Sequence, residues 1–265
     1  MTATGDLDVD AILEIVEAIH AEKAPDPNEG LRERKKRQVR QRISDVATAM
    51  FLVHGFDKVT VARIAAACEV SEQTAFNYFP TKESMFLDRS ESRTNAVADA
   101  VRDRTSVSLV EAVVQVLSAG IQPGLRGDLN EARQMQVFRL FGNVATGSPT
   151  LAGARLAEFA RFTEDVSVAL AERIGADPID PEVQLATLLI GGLVQVRLQS
   201  TFHHVQHAAS LAALNDAVSR DFLRAAQLAE PSLTAFDKMR DTAEGSGAAT
   251  LASPPKRVDP SIQAS

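Results

Sequence analysis

The stretch TVARIAAACEVSEQTAFNYFPTK, Thr60 to Lys82, decides the fold. It reads as two short helices about one turn apart, closed by aromatic residues, a proline and a lysine. The Thr60 hydroxyl can accept an orphan backbone N–H and so cap the first helix. That helix, Val61 to about Cys68, turns Ile64 and Ala65 toward a core. Ser71 caps the second, Glu72 to Phe79. Pro80 ends it, because a proline drives the residue before it out of the helical region.

Two short helices fixed at an angle are what reading B-DNA requires. The major groove admits one helix, and its base edges are distinguishable there by hydrogen bonds. On the second helix Glu72, Gln73, Thr74 and Asn77 lie on the outer side, while Ala75 and Phe79 can face inward. Gln73 and Asn77 are four residues apart, hence on one face. Amide side chains can bond adenine bidentately, which makes these two the leading base-contact candidates, with Thr74 and Glu72 beside them.

A long helix precedes the pair, from about Leu31 to His54, with Val39, Ile43, Val46, Ala47, Met50 and Phe51 on its inner side and Gly55 as its stop. It opens RERKKRQVRQR, Arg32 to Arg42. The chain of 265 residues has a net charge of −7, but the charge is uneven. Residues 1–30 hold eight acids and one lysine, whereas residues 31–42 hold seven Arg or Lys and one Glu. Local charge decides a binding face, so overall acidity does not exclude nucleic acid. A basic run on its own can simply be a solvated helix end. Beside two helices of this kind, Arg34, Lys35 and Arg37 read as contacts to DNA phosphates.

Taken together, Gly55-Phe56, Ile64-Ala65, Val70-Ser71, Thr74, Phe76, Tyr78-Phe79 and Lys82-Glu83 resemble the DNA-binding domain of the TetR/AcrR family of bacterial regulators. The match covers about 50 residues, and the YFPTKE close is its specific part. The resemblance implies phosphate contacts from Thr60, Phe76, Tyr78 and Lys82. The sequence departs from the family at two places. A tyrosine is usual where Phe76 stands, so a hydroxyl is lost. Glycine is common in the turn where Glu69 stands, and a non-glycine there costs on the order of 1 kcal/mol.

The rest of the chain is also helical in pattern. A fourth helix runs from Thr81 to about Arg104, then come 106–119, 128–145, 150–174, 181–202 and 208–229. Gly120, Pro123, Gly124 and Gly127 mark one break, and Pro181 reads as the first residue of its helix. No alternating β pattern and no internal repeat appears. The last two helices carry heavy apolar loads, including Leu189, Leu193, Leu214, Val218 and Phe222. Two such helices per subunit can form a four-helix contact, and the resemblance likewise implies a homodimer. Gly191-Gly192 would allow close approach there. Met135, Phe138 and Phe141 fall on one helix face, Phe159 and Phe162 on the next, and these line a candidate effector pocket. Apolar stripes ordinarily pack a core, but ligand sites do sit between helices of bundles.

Before the basic helix, Val9, Ile12, Leu13, Val16 and Ile19 describe an amphipathic helix. The simpler reading is a loosely docked helix; the alternative is that its acids shield the basic run. The lone Cys68 rules out an intramolecular disulfide and fits a reducing cytosol. His203, His204 and His207 have chelating spacing, but no acid stands near them in sequence and no metal or cofactor is assigned. No Walker loop, GxSxG elbow or HExxH appears. No signal peptide is apparent, and no apolar run approaches the ~20 residues a membrane helix needs.

The expectation is therefore an all-α protein in four parts. An acidic extension (1–30) precedes a three-helix helix-turn-helix domain (31–80), a ligand-binding and dimerisation domain (81–232) and a disordered tail (233–265). Its expected function is that of a cytoplasmic regulator, most simply a repressor. It would bind a palindromic operator in double-stranded DNA as a homodimer, without a membrane, and be released by a small apolar or acyl-type effector. The alternative is a small-molecule-binding protein or enzyme with a vestigial helix-turn-helix.

Overall fold

The computed structural model describes residues 8–20, 30–103, 108–119 and 130–249. Every regular element among them is helical. In chain order these are α1 (Val9–His20), α2 (Leu31–His54), a 3-10 turn (Phe56–Lys58), α3 (Val61–Ala67), α4 (Glu72–Tyr78) and α5 (Lys82–Arg102). The C-terminal half adds α6 (Leu109–Ser118), α7 (Glu131–Gly147), α8 (Pro149–Ile174), α9 (Pro181–Val205) and α10 (Leu211–Ala249). The break read at Gly120–Gly127 and the chain beyond 249 lie outside the described residues.

α2 changes character midway. Its first eight residues are exposed, as a run of like charges must be, whereas Ile43 to Leu52 are buried without interruption. A helix buried all round lies at the centre of a core. Two of the polar residues in that stretch have partners: Ser44 Oγ donates to Met85 O at 3.2 Å, and Asp45 accepts from Gln41 Nε2 at 2.8 Å. Gly55, at φ +85, turns the chain out of the helix.

α1 is more than a loosely docked helix. Ile12, Ile15 and Val16 are almost wholly buried against α2 and α7, so the predicted apolar stripe enters the N-terminal core. Burying such a side chain stabilises by about 1.5–3 kcal/mol each. The Ile19 side chain lies outside the described ones. Asp10, Glu14 and Glu17 remain exposed on the opposite face.

Two apolar clusters organise the rest. One gathers α1, α2, α3, α4, the start of α5 and parts of α7 and α8; the other gathers the end of α5 with α6, α8, α9 and α10. α5 runs through both, which makes it the physical link between the DNA-reader helices and the C-terminal bundle.

The tail assignment is corrected. Residue 233 does not begin a disordered segment, since α10 continues through Pro231 to Ala249. A proline inside a helix costs about 3 kcal/mol. Burial of Leu233 and Phe236 offsets that cost, together with an ion pair from Asp237 Oδ1 to Arg173 Nε at 2.8 Å. Arg173 Nη1 also donates to Val101 O and Asp103 O, tying α5, α8 and α10 at one point.

α9 needs a second correction. By length and composition it is apolar enough to cross a membrane, although its sequence is interrupted at Thr187 and Gln195. It packs against α8 and α10 and carries the buried Arg197.

Candidate nucleic-acid interface

The two short helices are set by local chemistry. Thr60 Oγ1 accepts from Arg63 N at 3.3 Å and Ser71 Oγ from Thr74 N at 3.0 Å, so both caps form as their sequences require. Between them Glu69 adopts φ +57. Its N–H donates to Ala66 O, and Val70 N–H donates to Ala65 O. This is the two-bond pattern by which a left-handed residue ends a helix. The turn therefore has the left-handed shape expected of it, with a glutamate at the position glycine favours.

α4 offers its polar face to solvent. Glu72, Gln73 and Asn77 are exposed and Thr74 is half-buried, while Ala75 and Phe79 are wholly buried. Gln73 Nε2 donates to Asn77 Oδ1 at 3.1 Å, so the two amides meet on one face. Each keeps donors and acceptors for a partner. Phe76 is also exposed, an apolar ring standing out beside that face.

The other predicted contacts divide. Arg34, Lys35 and Arg37 project from the exposed first turns of α2. Thr60 is exposed and Tyr78 is half-buried. Lys82 is engaged instead in structure. Its Nζ donates to Phe56 O at 3.0 Å and Val59 O at 3.1 Å, and lies 4.2 Å from the centre of the Phe56 ring. It fastens the 3-10 turn to the start of α5, leaving one N–H uncommitted.

Sequence reading missed the part played by Arg40. Its Nη1 donates to Tyr78 O at 2.7 Å, its Nε donates to Asp88 Oδ1 at 3.0 Å, and its guanidinium lies 4.3 Å from the Phe79 ring centre. It thus joins α2, α4 and α5 and orients the reading helix. Nothing in a basic run distinguishes one arginine as structural; the signal was Asp88, 48 residues away. Cys68 is packed: it is buried beside Arg42 O, and that burial pushes its thiol pKa up.

In the C-terminal half the candidate interface residues lie mostly within the protomer. Leu193, Leu214, Val218 and Phe222 are buried inside the protomer, and Leu189 is partly buried. They face other helices of the same chain. Among the described residues, the large apolar side chains that α9 and α10 leave exposed are Leu185, Leu188, Leu223, Leu228 and Met239. Gly191 admits Phe159 of α8, since a Cβ there would lie 3.1 Å from its Cζ, whereas Gly192 faces open space.

The five candidate pocket residues are not brought to one wall. Met135 packs with Val205, Leu211, Leu214 and Val218, and Phe159 and Phe162 join the other C-terminal cluster. Phe141 stacks on Phe86 of α5, and Phe138 packs both on that N-terminal core and on the Met135 cluster. The histidines have a neighbour that sequence spacing hid: His204 Nε2 lies 2.8 Å from Asp221 Oδ2, which also accepts from Ser200 Oγ at 2.7 Å. Those bonds, that from Ser200 first, hold the Asp221 carboxyl below its ordinary pKa.

Comparison with known proteins bears on the same segment. Residues 43–88 match the family described as "Bacterial regulatory proteins, tetR family". The chain is 28% identical over 151 residues to the HTH-type transcriptional regulator TcmR of Streptomyces glaucescens. That alignment spans 56% of this chain and 63% of the relative, just under two thirds of its length. A solved structure of a tetR-family transcriptional regulator from Streptomyces coelicolor aligns over 84% of this chain and 97% of its own. It does so with 15% identity and a TM-score of 0.36.

Proposed function

We propose, from the match of residues 43–88 to the tetR family of bacterial regulatory proteins, that the chain is a DNA-binding transcriptional regulator of that family. The observation carrying this reading is the exposed Gln73–Asn77 face of α4, held by the Ser71 cap, the Glu69 turn and Arg40. Those two amides read bases; Thr74 and Glu72 flank them. Thr60, Tyr78, Arg34, Lys35 and Arg37 hold the phosphate backbone, which fixes register without reading sequence.

The protein acts as a dimer, most simply a repressor, on a palindromic operator whose half-sites are spaced by the helical turn. The pairing surface is the exposed apolar face of α9 and α10, with Leu185, Leu188 and Leu228 at its centre and Gly192 allowing close approach. A small effector bound among the C-terminal helices changes the separation of the two readers, a coupling typically worth about 1–3 kcal/mol.

The test is a mobility shift on the DNA upstream of the protein's own gene, with unrelated DNA as competitor. A complex that survives the competitor and is lost with Gln73→Ala and Asn77→Ala supports the reading. Binding that the competitor abolishes equally for wild type and variant counts for a helix-turn-helix retained without sequence reading.

A further inference from the structure

α1, α2 and α7 pack pairwise on one another. α2 belongs to the DNA-reader half and α7 to the C-terminal half, so α1 is buried against both at once. Ile12 is wholly buried, and Ile15 and Val16 are nearly so. All three share one apolar cluster with Val46 of α2 and Val137 of α7. The start of α1 is fixed by its own cap, since Asp8 Oδ1 accepts from Ala11 N at 2.9 Å. Its outer face carries Asp10, Glu14 and Glu17, all exposed.

α1 has 12 residues. A lone helix of that length is marginal in water even when its residues are good helix formers. α1 therefore owes its form to docking, and its two supports lie on different halves of the chain. α5 links those halves along the backbone. The Phe86–Phe141 stack and the bond from Ser148 to Asp57 tie them sideways. α1 adds an apolar tie of its own, made by a segment that lies outside both halves.

We propose that α1 is a clamp: it docks while α2 and α7 keep the relative position seen here, and so holds the reader at a fixed angle to the bundle. Parting of the two helices removes one side of its site, and α1 then unfolds as a local unit. Its consequence for DNA rests on the regulator reading above, in which a dimer reads two half-sites. A reader held at one angle accepts a narrow range of half-site spacing. A clamp differs from an electrostatic shield, in which the acids of α1 screen the basic start of α2: the clamp depends on the helix, the shield on the charges.

The test uses the full chain with Glu14→Gly and Glu17→Gly together, which weakens α1 as a helix without altering a buried side chain. Glu14→Gln with Glu17→Gln removes the same charge and keeps the helix. Hydrogen exchange is the first readout. The glycine pair should speed exchange in α1, α2 and α7 together, whereas the glutamine pair should match wild type. Glu17→Gly alone should give the same pattern more weakly, and it decides the matter where the pair does not fold. Faster exchange in α1 with α7 unchanged would overturn the clamp, as would a wild-type α1 that exchanges like an unfolded chain.

The second readout is affinity for the site upstream of the protein's own gene, intact and with two base pairs inserted between its half-sites. The insertion turns one half-site by about 70° against the other; it should weaken wild type and the glutamine pair roughly tenfold or more, and the glycine pair less than about threefold. Equal losses in all three, or a glutamine pair that behaves like the glycine pair, would overturn the clamp. Wild-type protein that shows the expected exchange pattern but no sequence-specific complex overturns the regulator reading and supports the clamp.

Discussion

Phe141 of α7 stacks on Phe86 of α5, with ring centres 4.5 Å apart and planes 12° from parallel. Phe86 in turn meets Phe51 and Phe56 edge-on, at 6.0 and 6.4 Å. The aromatic cluster beneath the DNA-reader helices therefore ends on a helix of the C-terminal bundle. Ser148, between α7 and α8, reaches the same region through a bond to Asp57 at 3.4 Å. A shift of α7 must move Phe86, and with it α5 and the Lys82 end that fastens the 3-10 turn.

Phe141→Leu keeps an apolar side chain but removes the ring pair. The stacking beyond simple burial is worth about 0.5–1.5 kcal/mol, and chemical unfolding should show that loss at constant slope. In the same variant, the effector should change DNA affinity less than in wild type. Loss of stability with full effector response would make Phe141 a packing residue only.

Glu69→Gly relieves a left-handed glutamate. The strain is about 1–2 kcal/mol, part of which the extra freedom of an unfolded glycine cancels. A net gain of about 0.5–1 kcal/mol is expected, and DNA binding should tighten as a negative charge leaves the interface. A lower Tm would show that the Glu69 side chain makes a compensating contact.

How much of this was legible beforehand follows the range of the forces. Caps at Thr60 and Ser71, the break at Gly55 and the left-handed turn at Glu69 are decided within a few residues, and sequence reading found them. Periodicity shows that Leu193, Leu214, Val218 and Phe222 need cover; it does not say whether the same chain or a second copy supplies it. Phe141 belonged to an apolar stripe, and its partner Phe86 lies in a different part of the chain. The last helix was read only to residue 229, whereas α10 runs to Ala249. The ion pair that holds it comes from Arg173, 64 residues away.

That ion pair can be tested directly. The Arg173 side chain is 1% exposed, and Asp237 also accepts from Leu109 N at 3.1 Å. Asp237→Ala should cost about 3–5 kcal/mol, because it strands a buried guanidinium. It should also speed proteolysis of the last turns of α10. A change below about 1 kcal/mol, the range of a surface pair, would contradict the role given to it.

Alanine at Arg34, Lys35 and Arg37 together should weaken binding to every DNA sequence alike. The slope of log affinity against log salt should become shallower by about 0.9 for each phosphate that is no longer neutralised. An unchanged slope would mean that the exposed start of α2 does not touch DNA.

The central claim is that the α4 face reads a symmetric DNA site. Footprinting on the DNA upstream of the protein's own gene tests it most directly. The account predicts one protected region with two inverted half-sites a helical turn apart, absent with Gln73→Ala/Asn77→Ala and kept with Lys36→Ala. Protection without inverted symmetry, or protection unchanged by the double substitution, would contradict it.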